Sequence, residues 1–311
     1  MKICIFGNKS STNDLIKFLF DEGFIISTLV TLAPEKHLKI KISGSSSSLL
    51  DSAYERGIEV FFSESYGLTQ ENDQSFFIKQ AFDVGISVGW QRLIPAEILK
   101  SFKFGVFGWH GSGFRFPNGR GRSPINWTIR LGLKSVYHNC FRYSSGADTG
   151  DIYDVRKIEV DENDYIADVQ KKALQHIFAS AKNLLNDIRA ENLVLKKQSD
   201  QPFISFPSLN EASGFLSLNL LSGEEAINIT HSCSKPFPGA FIKLINPTLC
   251  IRVWKINKTS HNSQLKIGEM MLIDSQLIMR FSDNFLCSKD FELIEESSVV
   301  ELKKNITYGC F

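Results

Sequence analysis

The chain has 311 residues, which is long for one hydrophobic core and suits two domains. Its 35 lysines and arginines nearly balance 34 aspartates and glutamates, which argues against a large basic nucleic-acid surface or a membrane-attracted one. We find no signal-peptide pattern, and no apolar run approaches the roughly 20 residues that span a bilayer. Six cysteines are scattered without a Cys-x-x-Cys pair. We therefore expect neither zinc nor disulfides, and a cytoplasmic location.

The first part of the chain predicts strands that alternate with helices. The predicted strands are Lys2–Phe6, Phe24–Val30, Ile58–Phe62, Val84–Val88 and Gly105–His110. The predicted helices include 49–56, 76–82 and 95–102, and a long one at 166–188 with apolar residues at helical spacing. Between them, 135–143 and 152–160 read as neighbouring strands. This alternation is typical of a Rossmann-like α/β domain with a mostly parallel sheet.

The composition changes near Ala190–Pro207, which we interpret as a linker. Short strands separated by turn residues follow it, at 240–245, 250–256, 269–273, 276–281 and 290–294, with a short helix at 227–233 before them. This pattern predicts a small β-barrel or sandwich. Ser45–Ser48 is a low-complexity patch that we interpret as a loop.

His110 is the first candidate for chemistry. It ends the strand Gly105–His110, and because alternate side chains share a face, Gly108 and His110 point one way and Trp109 the other. The following segment, 111–122, is a loop of glycines and arginines at the carboxyl end of a strand, where open α/β sheets carry their sites. A hydrogen-bonded structural histidine is the alternative. Arg120 and Arg122 are open to two readings, an anion clamp or exposed loop charges.

Asp148 is the second candidate, in the tight loop Ser145–Gly150 just before a strand. A carboxylate there can orient an imidazole and raise its basicity. The alternative is an aspartate that only bonds its own turn. Trp90 stands at the end of another strand, and both core packing and stacking on a pterin or a base are open for it.

Together these segments resemble the folate-dependent formyltransferase family. The segments that carry the resemblance, in matching order, are His110–Ser112, 119–127 and 148–152. In the second half, Lys235-Pro236-Phe237-Pro238-Gly239-Ala240-Phe241 is similar to the Pro-Trp-Pro-Gly-Ala-Phe motif of methionyl-tRNA formyltransferase and its sugar-modifying relatives, and Gly89–Pro95 fits the same group. The resemblance covers nearly the whole chain. It implies a catalytic domain at 1–195, a linker at 196–207 and a small OB-like β-barrel domain at 208–311.

The resemblance implies a reaction and a set of site residues. A primary amine attacks the formyl carbon of 10-formyltetrahydrofolate without a metal, while His110 transfers the proton and Asp148 tunes it. The implied folate-binding residues, with Trp90 added, are Trp90, Arg92, Leu93, Ile94, Arg122, Ser144, Ser145, Gly146, Ala147 and Asp148. The substrate-binding candidates are Gly108, Ser112, Arg120, Asn126 and His138.

One departure from the family pattern stands two residues before His110. The family has Asn-x-His, in which the asparagine donates to the oxyanion, and this chain has Gly108. Losing one such donor costs about 10²–10³ in rate. Three explanations are open. In the first, a backbone N–H or the side chain of Asn118, Asn126, His138 or Asn139 replaces the donor. In the second, the missing side chain makes room for a different donor or a bulkier substrate, and the transferred group is one other than formyl. In the third, the protein only binds folate or a nucleotide sugar. We expect Gly108→Asn to leave the fold intact.

The substrate class follows from charge. A methionyl-tRNA formyltransferase needs a basic surface for RNA, and the segment Pro34–Lys41 is only modestly basic. We therefore favour a nucleotide-linked amino sugar as the small-molecule partner, with methionyl-tRNA as the alternative. Members that modify sugars are often dimers, so monomer and homodimer are both open.

Overall fold

The computed structural model of the protein describes residues 1–40, 48–245, 250–260, 264–294 and 307–310. The chain divides into two compact units. The first unit comprises Met1–Gly121, Tyr137–Ile158 and Lys171–Ser205. The second comprises Arg122–Val136, Glu159–Gln170 and Phe206–Phe311. The predicted loop at Ser45–Ser48 lies outside the described residues except for Ser48, where a helix begins.

The strands and helices of the chain up to residue 206 follow one another much as predicted. The strands are β1 (Ile3–Phe6), β2 (Ile26–Thr31), β3 (Glu59–Phe62), β4 (Val84–Ser87), β5 (Gly105–Ser112), β6 (Arg120–Gly121), β7 (Ser135–Arg142), β8 (Ile152–Glu159) and β9 (Ser205–Phe206). The helices are α1 (Ser10–Asp21), α2 (Pro34–Ile40), α3 (Ser48–Glu55), α4 (Glu71–Gln80), α5 (Ala96–Lys100), α6 (Pro124–Arg130) and α7 (Ile166–Arg189).

The first unit is organised by a seven-stranded sheet in the order β3-β2-β1-β4-β5-β7-β8. All pairs from β3 to β5 are parallel, and β7 joins β5 in antiparallel orientation. This confirms the mostly parallel sheet. Parallel strands bring their carboxyl ends to one edge, so the loops after β1, β4 and β5 meet there.

Alternation along β1 separates two hydrophobic clusters on the two faces of the sheet. Ile3 and Ile5 pack with residues of α1 and α7, including Leu184. Cys4 and Phe6 pack on the other face with residues of α4 and α5, including Phe77. Since successive strand side chains point to opposite faces, the continuous apolar run of β1 is what a doubly covered parallel strand requires.

The remaining elements of the second unit include many short antiparallel strands. They are a 3₁₀ turn (Glu211–Gly214), α8 (Gly223–Cys233), β10 (Ala240–Lys243), β11 (Cys250–Val253), β12 (Asn257–Lys258), β13 (Glu269–Ile273), β14 (Gln276–Arg280), β15 (Phe285–Ser288), β16 (Phe291–Ile294) and β17 (Thr307–Gly309). They form a three-stranded sheet, β10-β11-β16, and a five-stranded sheet, β12-β15-β14-β13-β17. A small C-terminal β domain is therefore present, as predicted.

The start of α8 shows how the sequence fixes an element locally. The Ser222 hydroxyl accepts a hydrogen bond from the Glu225 backbone N–H, and the Glu225 carboxylate accepts one from the Ser222 backbone N–H. This capping box satisfies donors that a helix start leaves open. It also explains why α8 begins several residues before the predicted 227.

None of the helices in the described part of the chain is long and apolar enough to cross a membrane.

A matched pair of isoleucines tests the core assignment. Ile5 is fully buried, whereas Ile25 is 81% exposed. We expect Ile5→Ala to lower the free energy of unfolding by about 2–5 kcal/mol because it leaves a cavity, and Ile25→Ala to change it by less than about 0.5 kcal/mol. Urea unfolding followed by circular dichroism measures both. Similar losses in the two variants would contradict the assignment.

Candidate active site

His110 lies on β5 with both of its ring nitrogens facing oxygen atoms. Nε2 is 2.7 Å from the carbonyl oxygen of Gly119, and Nδ1 is 3.5 Å from Oδ2 of Asp148. The side chain is only 8% exposed, and the ring of Phe116 stacks on it at a centroid distance of 5.3 Å. A carbonyl oxygen can only accept, so Nε2 carries a hydrogen in this arrangement. A cationic ring could then donate on both sides.

Gly119 can present its carbonyl to His110 because it is glycine. Its φ is +77°, in the left-handed region, and a Cβ atom there would overlap the Ser112 hydroxyl oxygen. The Ser112 side chain is fully buried and accepts a hydrogen bond from the Phe114 backbone N–H at 3.2 Å. Ser112 therefore shapes the loop that covers His110.

Asp148 is held in its loop by backbone groups. Its φ is +56°, and Oδ2 accepts a hydrogen bond from the Gly121 N–H at 3.2 Å. The loop around it is braced internally, since the Ser144 and Thr149 hydroxyls are 2.6 Å apart and the Thr149 hydroxyl donates to the Gly146 carbonyl. Ser145 and Ala147, in contrast, are exposed. The sequence predicted that His110 and Asp148 act together, and the structure brings them together.

Arg120 belongs to the same neighbourhood and is 6% exposed. Its guanidinium donates to Oε1 of Gln198 at 2.6 Å and lies over the Phe203 ring at 4.3 Å. Burial lowers the pKa of Arg120, and the nearby Asp148 carboxylate opposes that shift. Arg120 is therefore not an exposed loop charge, and the anion clamp is the interpretation that stays open for it.

The segment after β4 holds four of the predicted folate-binding residues. Trp90 is packed into the core against Phe6 and Tyr66, with ring centroids 6.2 Å and 4.9 Å away. Its indole N–H finds no hydrogen-bond acceptor among the described residues. Arg92 lies over the Tyr66 ring at 5.2 Å, Leu93 is 61% exposed, and Ile94 is buried. The exposed Leu93 and Arg92 are thus available to a ligand, whereas the Trp90 ring is mostly enclosed.

Two predicted residues belong to the second unit. The Arg122 side chain is exposed, and its backbone N–H donates to the Phe206 carbonyl at 2.9 Å. Asn126 is buried, and its amide donates to the Ser232 carbonyl at 2.7 Å. Both contacts lie within the second unit.

His138 lies on the opposite face of the sheet from His110. In the β5–β7 register His138 is opposite Gly111, whereas Asn139 is opposite His110, and opposite residues share a face. His138 Nδ1 is 2.8 Å from His176 Nδ1, and His176 Nε2 is 2.7 Å from Asp154 Oδ2. Burial and the His176 charge lower the pKa of His138 well below its ordinary value. The structure therefore does not place His138 where an oxyanion donor would stand.

The other donor candidates are also engaged. The Asn139 amide donates to the carbonyls of His110 and Tyr137 at 3.2 Å and 3.0 Å. Asn118 Oδ1 accepts from the Ile204 backbone N–H at 2.9 Å. The hydrogen bonds of these two residues, like those of Asn126 and His138, hold none of the four side chains towards the space beside Gly108.

The space beside Gly108 is filled by Tyr143. A Cβ atom at residue 108 would overlap the hydroxyl oxygen and the adjoining ring atoms of Tyr143. The expectation that Gly108→Asn leaves the fold intact stays a prediction, and the variant requires the Tyr143 ring to move. Sequence reasoning missed Tyr143. The sequence places Tyr143 at the end of the predicted strand Ser135–Tyr143. Only the register of that strand against β5 shows that the Tyr143 side chain faces Gly108.

No group of three or more histidine, cysteine, aspartate or glutamate side chains within the described ranges is arranged to hold a metal ion.

Comparison with known proteins places the chain in a class. Residues 1–178 match the formyl transferase family, which is more than half of the 311 residues. The chain therefore belongs to the formyl transferase family and is a formyltransferase enzyme.

Individual relatives differ in what they act on. A methionyl-tRNA formyltransferase of Caldanaerobacter subterraneus subsp. tengcongensis is 25% identical over 309 residues, covering 96% of this chain and 93% of the relative. WlaRD, a sugar 3N-formyl transferase solved in the presence of dTDP and 5-N-formyl-THF, has a TM-score of 0.67 at 17% identity, over 93% of this chain and 97% of that one. An N-formyltransferase from Helicobacter canadensis, in complex with folinic acid and dTDP-3-aminofucose, has a TM-score of 0.66 at 16% identity, over 93% and 98%. The two structural likenesses establish a shared fold.

Replacing two glycines tests the loop that covers His110. Gly119 and Gly57 both have positive φ, but a Cβ at Gly119 overlaps Ser112, whereas no described atom lies within 4 Å of one at Gly57. We expect Gly57→Ala to cost about 1 kcal/mol of unfolding free energy from backbone strain alone, and Gly119→Ala to cost more. Chemical denaturation measures both. Equal losses, or no partial rescue of Gly119→Ala by Ser112→Ala, would contradict the packing described.

The buried His138 gives a pH dependence with a definite sign. Because its pKa is lowered on folding, the unfolded chain binds more protons between the ordinary histidine pKa and the folded value. The free energy of unfolding should therefore fall as the pH is lowered from about 6.5 towards 5, and His138→Gln should weaken that fall. Denaturation at a series of pH values tests this. An unchanged slope in the variant would show that His138 titrates normally in the folded protein.

Proposed function

We propose that the protein transfers the formyl group of 10-formyltetrahydrofolate to the amine of a nucleotide-linked amino sugar. The observation that carries this is the pairing of buried His110 with Asp148 at the edge of the sheet where β5 ends. Family membership supports formyl transfer. The shared fold with enzymes that formylate sugars, two of them bound to folate derivatives, supports the donor and the acceptor class.

The reaction needs one proton to move. The amine nitrogen attacks the formyl carbon, its lone pair forms the new C–N bond, and the carbonyl oxygen becomes an oxyanion. The oxyanion then collapses and the bond to the folate N10 breaks. His110 takes the proton that the amine loses and returns it to N10, so the products are a formamide and tetrahydrofolate. The Asp148 carboxylate stabilises the ring while it carries the positive charge, and such acid–base catalysis contributes about 10²–10⁴-fold.

The loop that follows His110 covers its imidazole, so a substrate can reach the ring only if part of this loop moves. Nε2 bonds the Gly119 carbonyl, and Nδ1 faces Asp148. An amine that delivers its proton to Nε2 must therefore displace the Gly119 carbonyl. The single hydrogen of the neutral ring must also move from Nε2 to Nδ1, where it donates to Asp148, so that Nε2 is free to accept the amine proton. We propose that this displacement accompanies substrate binding. Gly119 bends without a side chain, and the Phe116 ring is the group that would leave the face of the imidazole.

The residues around His110 divide between donor and acceptor. We propose that Arg92, Leu93 and Ile94, together with the loop Ser144–Asp148, bind the folate. The folate-binding roles of Trp90, whose ring is mostly enclosed, and of Arg122, which belongs to the second unit, stay predictions. The sequence predicts Gly108, Ser112, Arg120, Asn126 and His138 on the acceptor side. Of these, Ser112 and Arg120 belong to the segment that follows His110, and Arg120 lies near Asp148. The domain boundaries at 195 and 208 remain our proposal for where catalytic and C-terminal domains part.

Methionyl-tRNA is the second candidate acceptor, because the relatives similar in sequence include methionyl-tRNA formyltransferases. It would require a basic surface for RNA. Lys36, in the segment that would serve, instead donates to the carbonyls of Ser63 and Glu64 at 3.0 Å and 2.7 Å. With nearly equal numbers of acidic and basic residues in the chain, this supports the sugar over the tRNA.

A direct assay separates the acceptors. The purified protein is incubated with 10-formyltetrahydrofolate and, in separate reactions, dTDP-linked and UDP-linked amino sugars or methionyl-tRNA, and tetrahydrofolate release is followed. We expect release with at least one sugar and none above background with the tRNA. Turnover with tRNA alone would replace the sugar proposal. Folate binding without turnover on any acceptor would favour a binding protein.

Two aspartates in one loop provide a matched test of His110 tuning. Asp148 faces His110, whereas Asp151 pairs with Arg142 at 2.9 Å. We expect Asp148→Asn to lower kcat by about 10²–10⁴-fold, since the charge that supports the protonated imidazole is lost, and Asp151→Asn to leave it near the wild-type value. His110→Ala should remove turnover. Steady-state kinetics measure all three. Equal kcat in the two asparagine variants would exclude the proposed role of Asp148.

A further inference from the structure

The lack of a side chain at residue 108 and the position of the Tyr143 ring depend on each other. The Tyr143 hydroxyl oxygen occupies the position where a side chain at residue 108 would begin. The glycine leaves room for the Tyr143 ring in this position, and a side chain at residue 108 would require the ring to shift. A position that lacks a donor of its own thus faces a hydroxyl from the neighbouring strand.

The ring of Tyr143 is fixed from several sides. Its backbone N–H donates to the Val106 carbonyl at 2.7 Å, which ties the residue to β5 just beyond the end of β7. Its ring packs against Phe141 at 5.3 Å and against the hydrophobic cluster that contains Phe6 and Val106. In the register, Phe141 is opposite Gly108 and Asn139 is opposite His110, so Tyr143 shares the face of the sheet with His110. A hydroxyl held this way is preorganised, as an oxyanion donor must be.

Residues 108 and 110 are neighbours on that face, about 6.7 Å apart along the strand. In the resembling family the pair is an asparagine and a histidine, with the asparagine amide directed at the oxyanion. Here the hydroxyl approaches the same space from β7. It lies nearer to β5 than an asparagine amide would, because it stands at the root of the side chain it replaces.

We propose that the Tyr143 hydroxyl donates the hydrogen bond that stabilises the tetrahedral oxyanion, an inference that rests on the formyl-transfer function proposed above. The hydroxyl keeps its proton throughout, so it forms and breaks no covalent bond during the transfer. Tyr143 is then a catalytic residue, together with His110.

The electrostatics of the residue suit a donor. Burial raises the pKa of Tyr143 to about 12, and the Asp148 charge adds to the shift while an interaction with the Ser87 hydroxyl opposes it. The hydroxyl is therefore protonated across the pH range in which a histidine works as an acid and base. Ser87 is opposite Gly108 in the β4–β5 pairing, so it lines the same space.

The conservative variant Tyr143→Phe is the main test. It retains the ring that fills the space beside Gly108 and removes only the hydroxyl. We expect kcat to fall about 10²–10³-fold, with the KM for both substrates and the dissociation constant of 5-formyltetrahydrofolate unchanged, because the hydroxyl acts on the oxyanion and not on bound substrates. Tyr153→Phe is the control, since that hydroxyl bonds Asp187 on another part of the sheet. It should leave kcat unchanged.

A rescue experiment separates a catalytic hydroxyl from a structural ring. Tyr143→Ala opens the space beside Gly108, and the double variant Gly108→Asn with Tyr143→Ala puts an asparagine into it. We expect the double variant to have a higher kcat than Tyr143→Ala, since a donor is restored from the β5 side. Circular dichroism melting curves show whether each variant is folded.

The outcomes distinguish this inference from the proposed function. A wild-type kcat in folded Tyr143→Phe, together with an inactive His110→Ala, would overturn the role of Tyr143 and leave formyl transfer in place. A reduced kcat with a parallel loss of 5-formyltetrahydrofolate binding would also overturn it, because the tyrosine would then be a folate-binding group. Absence of turnover by the wild-type protein with every acceptor would overturn both.

Discussion

The imidazole of His110, held between the Gly119 carbonyl and the Asp148 carboxylate, is the interaction on which the site depends. Both partners come from loops that the sheet brings together: one follows β5 directly, and the other follows β7, which is antiparallel to β5. Each loop needs backbone conformations that side chains oppose, at Gly119 and at Asp148. At Gly119 the lack of a side chain lets the carbonyl oxygen approach the ring. A charge on a buried ring is costly unless it is paired, and for this reason we propose that the acidic partner takes part in the chemistry.

The glycine at 108 changes meaning once the neighbouring strand is considered. In the sequence, Gly108 stands where the resembling family has the asparagine that donates to the oxyanion. In the sheet, Gly108 leaves the space that the Tyr143 ring fills. The Tyr143 ring is held in place by its packing on Phe141 and on the hydrophobic cluster that contains Phe6. The same cluster contains Val106 of β5, the strand that carries His110. The contacts that hold Tyr143, which we propose as the oxyanion donor, are therefore contacts of the hydrophobic core.

The sequence predicted the parts of the molecule that depend on local pattern. The alternation of apolar strands and amphipathic helices was sufficient for the parallel sheet and for α7, and the glycine-flanked Asp148 loop was recognisable together with His110. What it could not supply was register. His138 and Asn139 are adjacent in the chain, yet they face opposite sides of the sheet, and only the pairing with β5 shows which side belongs to His110. Tyr143 was missed for the same reason. Trp90 was left open because a strand-end tryptophan is compatible with core and with ligand, and its contacts with Phe6 and Tyr66 decide mostly for the core.

The central claim is that this protein moves a formyl group to an amine with His110 as the proton carrier, and the fate of the formyl carbon tests it most directly. Donor 10-formyltetrahydrofolate labelled with carbon-13 in the formyl group is mixed with a dTDP- or UDP-linked amino sugar and the wild-type protein or His110→Ala, and the labelled carbon is followed by NMR. The account predicts a formamide carbon on the sugar with the wild-type protein and none with the variant. A label that remains on the folate with the wild-type protein, or that reaches the sugar equally well with His110→Ala, would contradict it.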